Sequence, residues 1–576
     1  MSTIMSLYDQ WLRMCAMDTD LARELHEIRN DRQAIEDRFY KDLSFGTGGM
    51  RGVIGAGTNR INLFTIRRAA AGLADWLNAD PKGRGMPVAI AYDSRLYSQR
   101  FARETALVLA NRGIKALLFD ALRPVPVLSF AVRHLNAAAG VVITASHNPP
   151  KYNGFKVYGP DGAQLSPQDA DIVTENIRRL DYEKCLPMDE REARAKGLLE
   201  VIGSKEVDDD YTKMVLGLMV RRDLVRELGG KLRIVYTPLH GSGNLPVRRV
   251  LSEAGFSRVA VVPEQELPDP AFSTVKAPNP EDPAAFTMAI PLAEKTGASV
   301  IFGTDPDCDR LGVCVKDSEG VFRTLTGNQI GCLLLYHVLS EKKRLGVLPG
   351  NGAAAKSIVS SELARAICED FGVALFDVLT GFKFIGELIQ QFEETGGHTF
   401  LMGFEESYGY LSGTSVRDKD AVNAALLTAE AACVCLHEGI TLYDRLQEIY
   451  KKYGFFSETV LSQDYPGKQG AEQIHHIMKT LRDNPPASIA GFRVLAVRDY
   501  LSGRRNENGV SRDMGHTPSD VLYFELEHRH WFCVRPSGTE PKIKLYTAVS
   551  HREGMEKAQA LGKQLTVAVQ ELLADS

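Results

Sequence analysis

The chain has 576 residues, 44% of them hydrophobic and 24% charged, with a formal net charge of −5. That length exceeds what one hydrophobic core supports, so several domains are expected in an ordinary globular protein. The mild negative charge gives no electrostatic attraction to nucleic acid or to an anionic membrane surface, and neither is expected as a partner.

The first forty residues read as helical, with Leu21, Leu25 and Ile28 on one face among many charges. No basic segment followed by an apolar run opens the chain, so no secretory signal is expected. No stretch is apolar for long enough to span a bilayer. From Phe45 the texture changes. Apolar β-rich runs at 88–92, 140–143, 232–236, 299–302 and 399–402 end in polar or glycine residues and lead into helical patterns. This alternation predicts α/β layers, and its recurrence predicts repeated domains, although the letters themselves show no repeat. Beyond Gly454 the runs at 492–497, 521–527, 531–534 and 543–548 look antiparallel, and a long helix from about His551 closes an α+β segment. Domain boundaries are expected near 205, 323 and 455, dividing the chain into 1–205, 206–323, 324–455 and 456–576. The nine cysteines are scattered without a Cys-x-x-Cys pair, which speaks against zinc and for buried reduced thiols in a cytoplasmic protein.

Four short segments carry chemistry. The first, Thr144-Ala145-Ser146-His147-Asn148-Pro149-Pro150, follows an apolar strand. A serine at a strand end, held by a rigid turn, is well presented as a nucleophile or phosphate carrier, though the same residues also build a plain turn. Lys156 stands ten residues on, where an Asn153-Gly154 turn is expected to fold it back toward Ser146 to manage protons at a sugar hydroxyl. The second, Asp305-Pro306-Asp307-Cys308-Asp309-Arg310, places three carboxylates at alternate positions. Their repulsion calls for a cation, and hard oxygen ligands point to Mg²⁺ or Ca²⁺. An EF-hand is excluded because Arg310 and Lys316 occupy its glycine and glutamate positions; three protein oxygens suit Mg²⁺ completed by a phosphate. The third, Gly403-Phe404-Glu405-Glu406-Ser407-Tyr408-Gly409, with Thr380-Gly381-Phe382-Lys383 nearby, suits hydrogen bonding to sugar hydroxyls, or is a glycine-bounded polar turn. The fourth, Arg535-Pro536-Ser537-Gly538-Thr539-Glu540-Pro541-Lys542, offers a phosphate nest, or a hairpin with an incidental arginine. Walker A and Rossmann fingerprints are missing. The four segments together are the parts for phosphoryl transfer on a phosphosugar.

In this order, TASHNPPKYNGFK, DPDCDR, GFEESYG and RPSGTEPK resemble the four signature loops of the α-D-phosphohexomutases over nearly the whole chain. SFGTGGMRG with Arg51, and TPLHGSG with His240, resemble the subgroup of long phosphoglucomutases and phosphopentomutases. The resemblance implies three similar mixed α/β domains and a C-terminal α+β, TBP-like domain around a central cleft. It implies a phosphoryl group carried on Ser146 and Mg²⁺ held by Asp305, Asp307 and Asp309 with the Ser146 phosphate. Lys156 and His147 would handle protons, and Arg51 and Arg310 would flank the transferring group. Glu405, Ser407 and Lys383 would bind sugar, and Arg535, Ser537, Gly538 and Thr539 the non-reacting phosphate. The expected activity is an isomerase that interconverts glucose 1-phosphate and glucose 6-phosphate through glucose 1,6-bisphosphate, with pentose or mannose 1-phosphate as the alternative substrate. A phosphatase would not need a separate phosphate clamp, and a non-catalytic sugar-phosphate sensor would not need the serine, the lysine and three metal carboxylates together.

Overall fold

The computed structural model describes residues 2–81, 83–465, 467–515, 518–537 and 542–575. The chain forms two compact units: Met1–Ile358 with Val373–Tyr443, and Val359–Gly372 with Asp444–Ser576.

The first unit opens with three helices, α1 (Ser2–Met14), α2 (Thr19–Glu27) and α3 (Arg32–Phe39). Asp18 and Asp31 accept the backbone N–H groups of Leu21 and Ala34, satisfying donors that a helix start leaves free. Tyr8, Trp11, Leu25, Ile35 and Phe39 form a small core of their own, with Leu21 and Ile28 packed at its edge as the helical spacing predicts.

A seven-stranded sheet follows: β1 (Phe45–Gly46), β2 (Gly49–Val53), β3 (Val88–Tyr92), β4 (Ala116–Phe119), β5 (Ala139–Ile143), β6 (Tyr152–Tyr158) and β7 (Leu199–Ile202), in the order β1-β2-β6-β5-β3-β4-β7. Helix α4 (Leu63–Ala79) is started by Asn62, whose side chain accepts from the N–H groups of Phe64 and Thr65. Strands β3 and β5 are buried along their whole length, which is why they read as continuous apolar runs rather than as alternation. The second sheet contains β8 (Ile234–Thr237), β9 (Val259–Val261), β10 (Val300–Thr304), β11 (Leu311–Lys316) and β12 (Phe322–Thr324), ordered β12-β11-β10-β8-β9. The third contains β13 (Gly352–Ser357), β14 (Ala374–Val378), β15 (Thr399–Glu405) and β16 (Gly409–Ser412), ordered β14-β13-β15-β16.

These three sheets share one construction that the letters hide. In each, a parallel group ends on a strand that turns back into an antiparallel neighbour: β5 into β6, β10 into β11, β15 into β16. The first three chemical segments are the connections of these hairpins. Each connection holds one non-glycine residue in the left-handed region: Ser146 (φ 52°), Cys308 (φ 52°) and Tyr408 (φ 64°). Backbone of this kind costs about 1–3 kcal/mol and persists only where the surroundings impose it.

One expectation needs correction. Asn153-Gly154 is no turn but lies inside β6, with Gly154 opposite Arg51 of β2. A Cβ at Gly154 would stand 2.4 Å from the Thr144 carbonyl oxygen, so the glycine serves close strand approach. The chain turns back before it, at 148–151, and Lys156 is delivered by its register opposite Val142.

The second unit carries an antiparallel sheet of β17 (Phe455–Asp464), β18 (Ser488–Ile489), β19 (Phe492–Asp499), β20 (Arg504–Glu507), β21 (Val510–Asp513), β22 (Leu522–Leu526), β23 (Trp531–Pro536) and β24 (Lys542–His551). Helices Gly467–Asp483 and Met555–Asp575 supply Ile477, Leu481, Leu565 and Val569 to a core with Phe524, Phe532 and Leu545. The closing helix starts at Met555 because β24 runs on to His551. All nine cysteines are buried and unbridged. No single helix among the described residues is long and apolar enough to cross a membrane.

Candidate active site

Ser146 is buried at the turn after β5, and its Oγ donates to Asp305 Oδ2 at 2.7 Å. Its backbone N–H donates to Thr144 Oγ1 (2.8 Å), and Thr144 in turn donates to Asp93 Oδ2 (2.6 Å). The loop is organised by Arg95, whose side chain is fully buried and paired with Asp93 at 3.3 Å. Its guanidinium donates to the carbonyls of Ser146, Asn148 (2.5 Å), Pro149 (3.1 Å) and Tyr152 (3.1 Å), and stacks on Phe272 at 5.0 Å. Neither Asp93 nor Arg95 stands out in the sequence, because a strand-end Asp-Ser-Arg has no chemistry until the fold lays a loop on top of it.

The three carboxylates lie on the hairpin turn after β10, all buried, with ligand oxygens within 4.8 Å of one another. Asp305 Oδ1 accepts from the N–H groups of Asp309 (3.1 Å) and Arg310 (3.0 Å). Lys156 reaches Asp307 at 2.8 Å and Asp309 at 3.7 Å, and Lys419 reaches Asp309 at 3.1 Å. Burial and the neighbouring Asp307 and Asp309 charges push the Asp305 carboxyl well up; burial and Asp307 also raise Asp309. Burial opposes the Asp307 charge too, but Lys156 and Lys419 outweigh it and hold that carboxyl well below the usual range. Two oxygens, Asp307 Oδ1 and Asp309 Oδ1, are buried without a hydrogen-bond partner. Orphaned anionic oxygens converging with a third carboxylate are what a hard divalent cation fits. Lys419 is a third residue that does not stand out in the sequence; it belongs to a charged Arg417-Asp418-Lys419-Asp420 run that reads as surface but is buried.

Around this pair of loops, Arg51 on β2 donates to Asn148 Oδ1 at 2.9 Å, and Arg310 pairs with Glu281. His147 Nδ1 lies 3.2 Å from Ser146 Oγ. Burial, then the Arg310 and Arg51 charges, hold the imidazole well below its ordinary value. His240 belongs to the second sheet's scaffold, its ring bridging the Leu267 carbonyl (3.0 Å) and Thr274 Oγ1 (2.8 Å).

The β15–β16 turn is tied to the carboxylate turn by backbone: the Leu311 N–H donates to the Tyr408 carbonyl at 3.1 Å. Glu405 is buried and accepts from the Gly381 N–H at 2.7 Å; burial and the adjacent Glu406 push its carboxyl up to about 7. Glu406 accepts from Ser357 Oγ at 2.7 Å, and Ser407 is half-buried. Lys383 begins the helix Lys383–Thr395, its ammonium 4.8 Å from the Phe384 ring and its pKa lowered by burial. In the second unit Arg535 lies on β23, and the Ser537 N–H donates to the Lys542 carbonyl at 2.8 Å, so this segment is again a hairpin connection. Gly538 and Thr539 lie outside the described residues.

Residues 42–184, 209–320 and 326–453 match the α/β/α domains I, II and III of phosphoglucomutase/phosphomannomutase. A phosphoglucomutase of Staphylococcus aureus is 37% identical over 570 residues, covering 98% of this chain and 100% of that protein. The fold also matches a putative phosphomannomutase from Thermus thermophilus (TM-score 0.68, 23% identity, 93% of this chain and 99% of that one). It matches the open form of the Paramecium phosphoprotein pp63/parafusin as well (TM-score 0.68, 18% identity, 93% and 95%). Fold and relatives together define an isomerase that moves phosphoryl groups on phosphorylated sugars. The chain belongs to the phosphoglucomutase/phosphomannomutase family of α-D-phosphohexomutases.

Proposed function

We propose that the protein interconverts α-D-glucose 1-phosphate and glucose 6-phosphate through a phosphoserine at Ser146 and a glucose 1,6-bisphosphate intermediate. The observation that carries this reading is the 2.7 Å contact between Ser146 Oγ and a buried three-carboxylate nest with unsatisfied oxygens. The choice of glucose is supported by the 37% identical relative, a phosphoglucomutase. The division of labour follows the expected boundaries near 205, 323 and 455.

Asp305, Asp307 and Asp309 would hold Mg²⁺ beside the Ser146 phosphate, and the ion would supply positive charge facing the transferring group. In the first half-reaction the P–O bond to Ser146 breaks and a P–O bond to the free sugar hydroxyl forms, while the hydroxyl proton passes to a base. The departing serine oxygen takes up a proton in turn, and Lys156 and His147, which lie beside the carboxylates and beside Ser146 Oγ, would handle these two protons. Arg51 and Arg310 place guanidinium charge where negative charge accumulates. Glu405, Ser407 and Lys383 orient the sugar, and the Arg535–Thr539 segment takes the non-reacting phosphate. The bisphosphate then reverses and returns its other phosphate to Ser146.

A coupled assay tests this. Glucose 6-phosphate forms from glucose 1-phosphate in the presence of Mg²⁺ and catalytic bisphosphate, and Ser146→Ala abolishes it without unfolding the protein. A higher kcat/KM on mannose, ribose or deoxyribose 1-phosphate would move the substrate assignment. Release of free phosphate instead of sugar product would replace the mutase reading with a hydrolase.

A further inference from the structure

The match to domain I begins at residue 42, and helices α1–α3 precede it. They touch Tyr97, Arg100 and Tyr182, and a set of polar contacts from α2 and α3 meets one loop, residues 54–62, which leaves the end of β2, the strand that carries Arg51. Glu24 on α2 accepts the Ala56 N–H through Oε2 at 2.8 Å. Arg38 on α3 pairs with Glu24 and donates to the Ala56 carbonyl at 3.2 Å. The Asn59 N–H donates to the Arg38 carbonyl (2.9 Å), and Thr58 Oγ1 to the Lys41 carbonyl (2.7 Å). Ala56 is buried, so its N–H and carbonyl have no water to turn to. The loop is shaped around the carboxylate: Gly55 sits at φ 152°, and a Cβ there would stand 2.7 Å from Glu24 Oε1.

The other end of this lever reaches the reacting serine. β2 pairs with β6 and sets Arg51 opposite Gly154, and the Ile54 N–H donates to the Lys151 carbonyl at 2.8 Å. Arg51 in turn donates to Asn148, two residues beyond Ser146. On its other side β2 pairs with β1, a strand of two residues, and Val53 accepts the N–H of Ile61 at 2.9 Å, so the 54–62 loop itself holds the end of β2.

We propose that Glu24 and Arg38 are positioning residues: the N-terminal helices clamp the 54–62 loop and thereby fix Arg51 beside the phosphoryl group carried on Ser146. The inference rests on the role proposed above for Arg51. It predicts a loss of turnover rather than of sugar binding, because a displaced guanidinium fails the transition state while the ground-state sugar contacts remain.

The test is a double-mutant cycle with glucose 1-phosphate under saturating Mg²⁺ and bisphosphate. Glu24→Ala should lower kcat about tenfold, as expected for a small misplacement, with KM changed less than about twofold. Arg51→Ala should lower kcat further, and the double variant should be no slower than Arg51→Ala alone, since both act through one guanidinium. Losses that multiply in the double variant, or an unchanged kcat in Glu24→Ala, would overturn the proposal. Wild-type kcat in Arg51→Ala would overturn it together with the role given to Arg51, leaving the mutase reading intact. Hydrogen exchange at the Ala56 amide supplies a readout independent of turnover. In the milder Glu24→Gln it should quicken at Ala56 while β3 amides stay protected; unchanged exchange there refutes the clamp even if Glu24→Ala fails to fold or the wild type proves to act on another sugar.

Discussion

Arg95→Met tests how the Ser146 turn is held. The substitution preserves bulk against Phe272 but removes the donors that reach four carbonyls and the partner of buried Asp93. Removing one member of a buried ion pair costs about 3–5 kcal/mol, because the other charge is left without compensation. The pair has fully buried side chains on both sides, so the upper part of that range applies here. Asp93→Asn in the same background removes the stranded charge, while its amide still meets Thr144 and Ser98. The double variant should therefore recover about 2 kcal/mol of the loss, about half of the single-variant cost. Urea unfolding of the wild type, both single variants and the double variant measures this, and labelling of Ser146 from the bisphosphate reports the turn itself. Labelling should fall with Arg95→Met and not return in the double variant, because the four carbonyl contacts remain absent. A loss below about 1 kcal/mol with normal labelling would show that the turn holds its left-handed serine without Arg95.

In metal-free protein, Asp305→Asn should raise the melting temperature, since burial and two like charges oppose the charged form of this carboxyl. Asp307→Asn should lower it, because Lys156 loses its closest partner; melts with and without chelator read both, and activity should need Mg²⁺ in the wild type. Asp420, buried, accepts from Tyr211 and from the Asn423 N–H, and burial raises its carboxyl to about 6. Because the folded value lies above the unfolded one, its contribution is fully present below about pH 4 and is lost as pH rises through about 6. The stability of wild type relative to Asp420→Asn should thus fall by up to about 3 kcal/mol over that window, and a flat difference in denaturant titrations refutes it. Arg535→Ala should raise KM for the sugar phosphate by about ten- to a hundredfold and increase the demand for added bisphosphate, with Ser146 labelling intact; an unchanged KM would make its segment a plain hairpin.

The chemistry was legible because its groups are contiguous. Ser146 with His147, the three aspartates, Glu405 with Ser407, and Arg535 with Ser537 each fall within a few letters, and a strand-to-turn change marks where they sit. What supports them was not legible, because it reaches across strands. Arg95 lies fifty-one positions from the carbonyl of Ser146 that it holds, and Lys419 meets Asp309 only once two sheets are joined. The Asn153-Gly154 pair misled because the same dipeptide serves a turn or a tight strand pairing, and only the neighbour across from it decides. The repeat stayed hidden for a related reason: what recurs is a hairpin geometry, and geometry does not require the same side chains.

That shared hairpin has an evolutionary consequence. Each reactive turn joins a parallel strand to an antiparallel neighbour, while the parallel strands behind it keep their own hydrogen bonds. Side chains in the turn can then be exchanged without breaking those parallel ladders, provided the contacts that hold the turn's backbone, such as those of Arg95, are kept. The β15–β16 turn meets the carboxylate turn through backbone groups, the Leu311 N–H and the Tyr408 carbonyl, so exchanging side chains at Glu405 or Ser407 leaves that link in place, and a change in the sugar proposed to bind there could be explored while Ser146 and its carboxylates stay as they are.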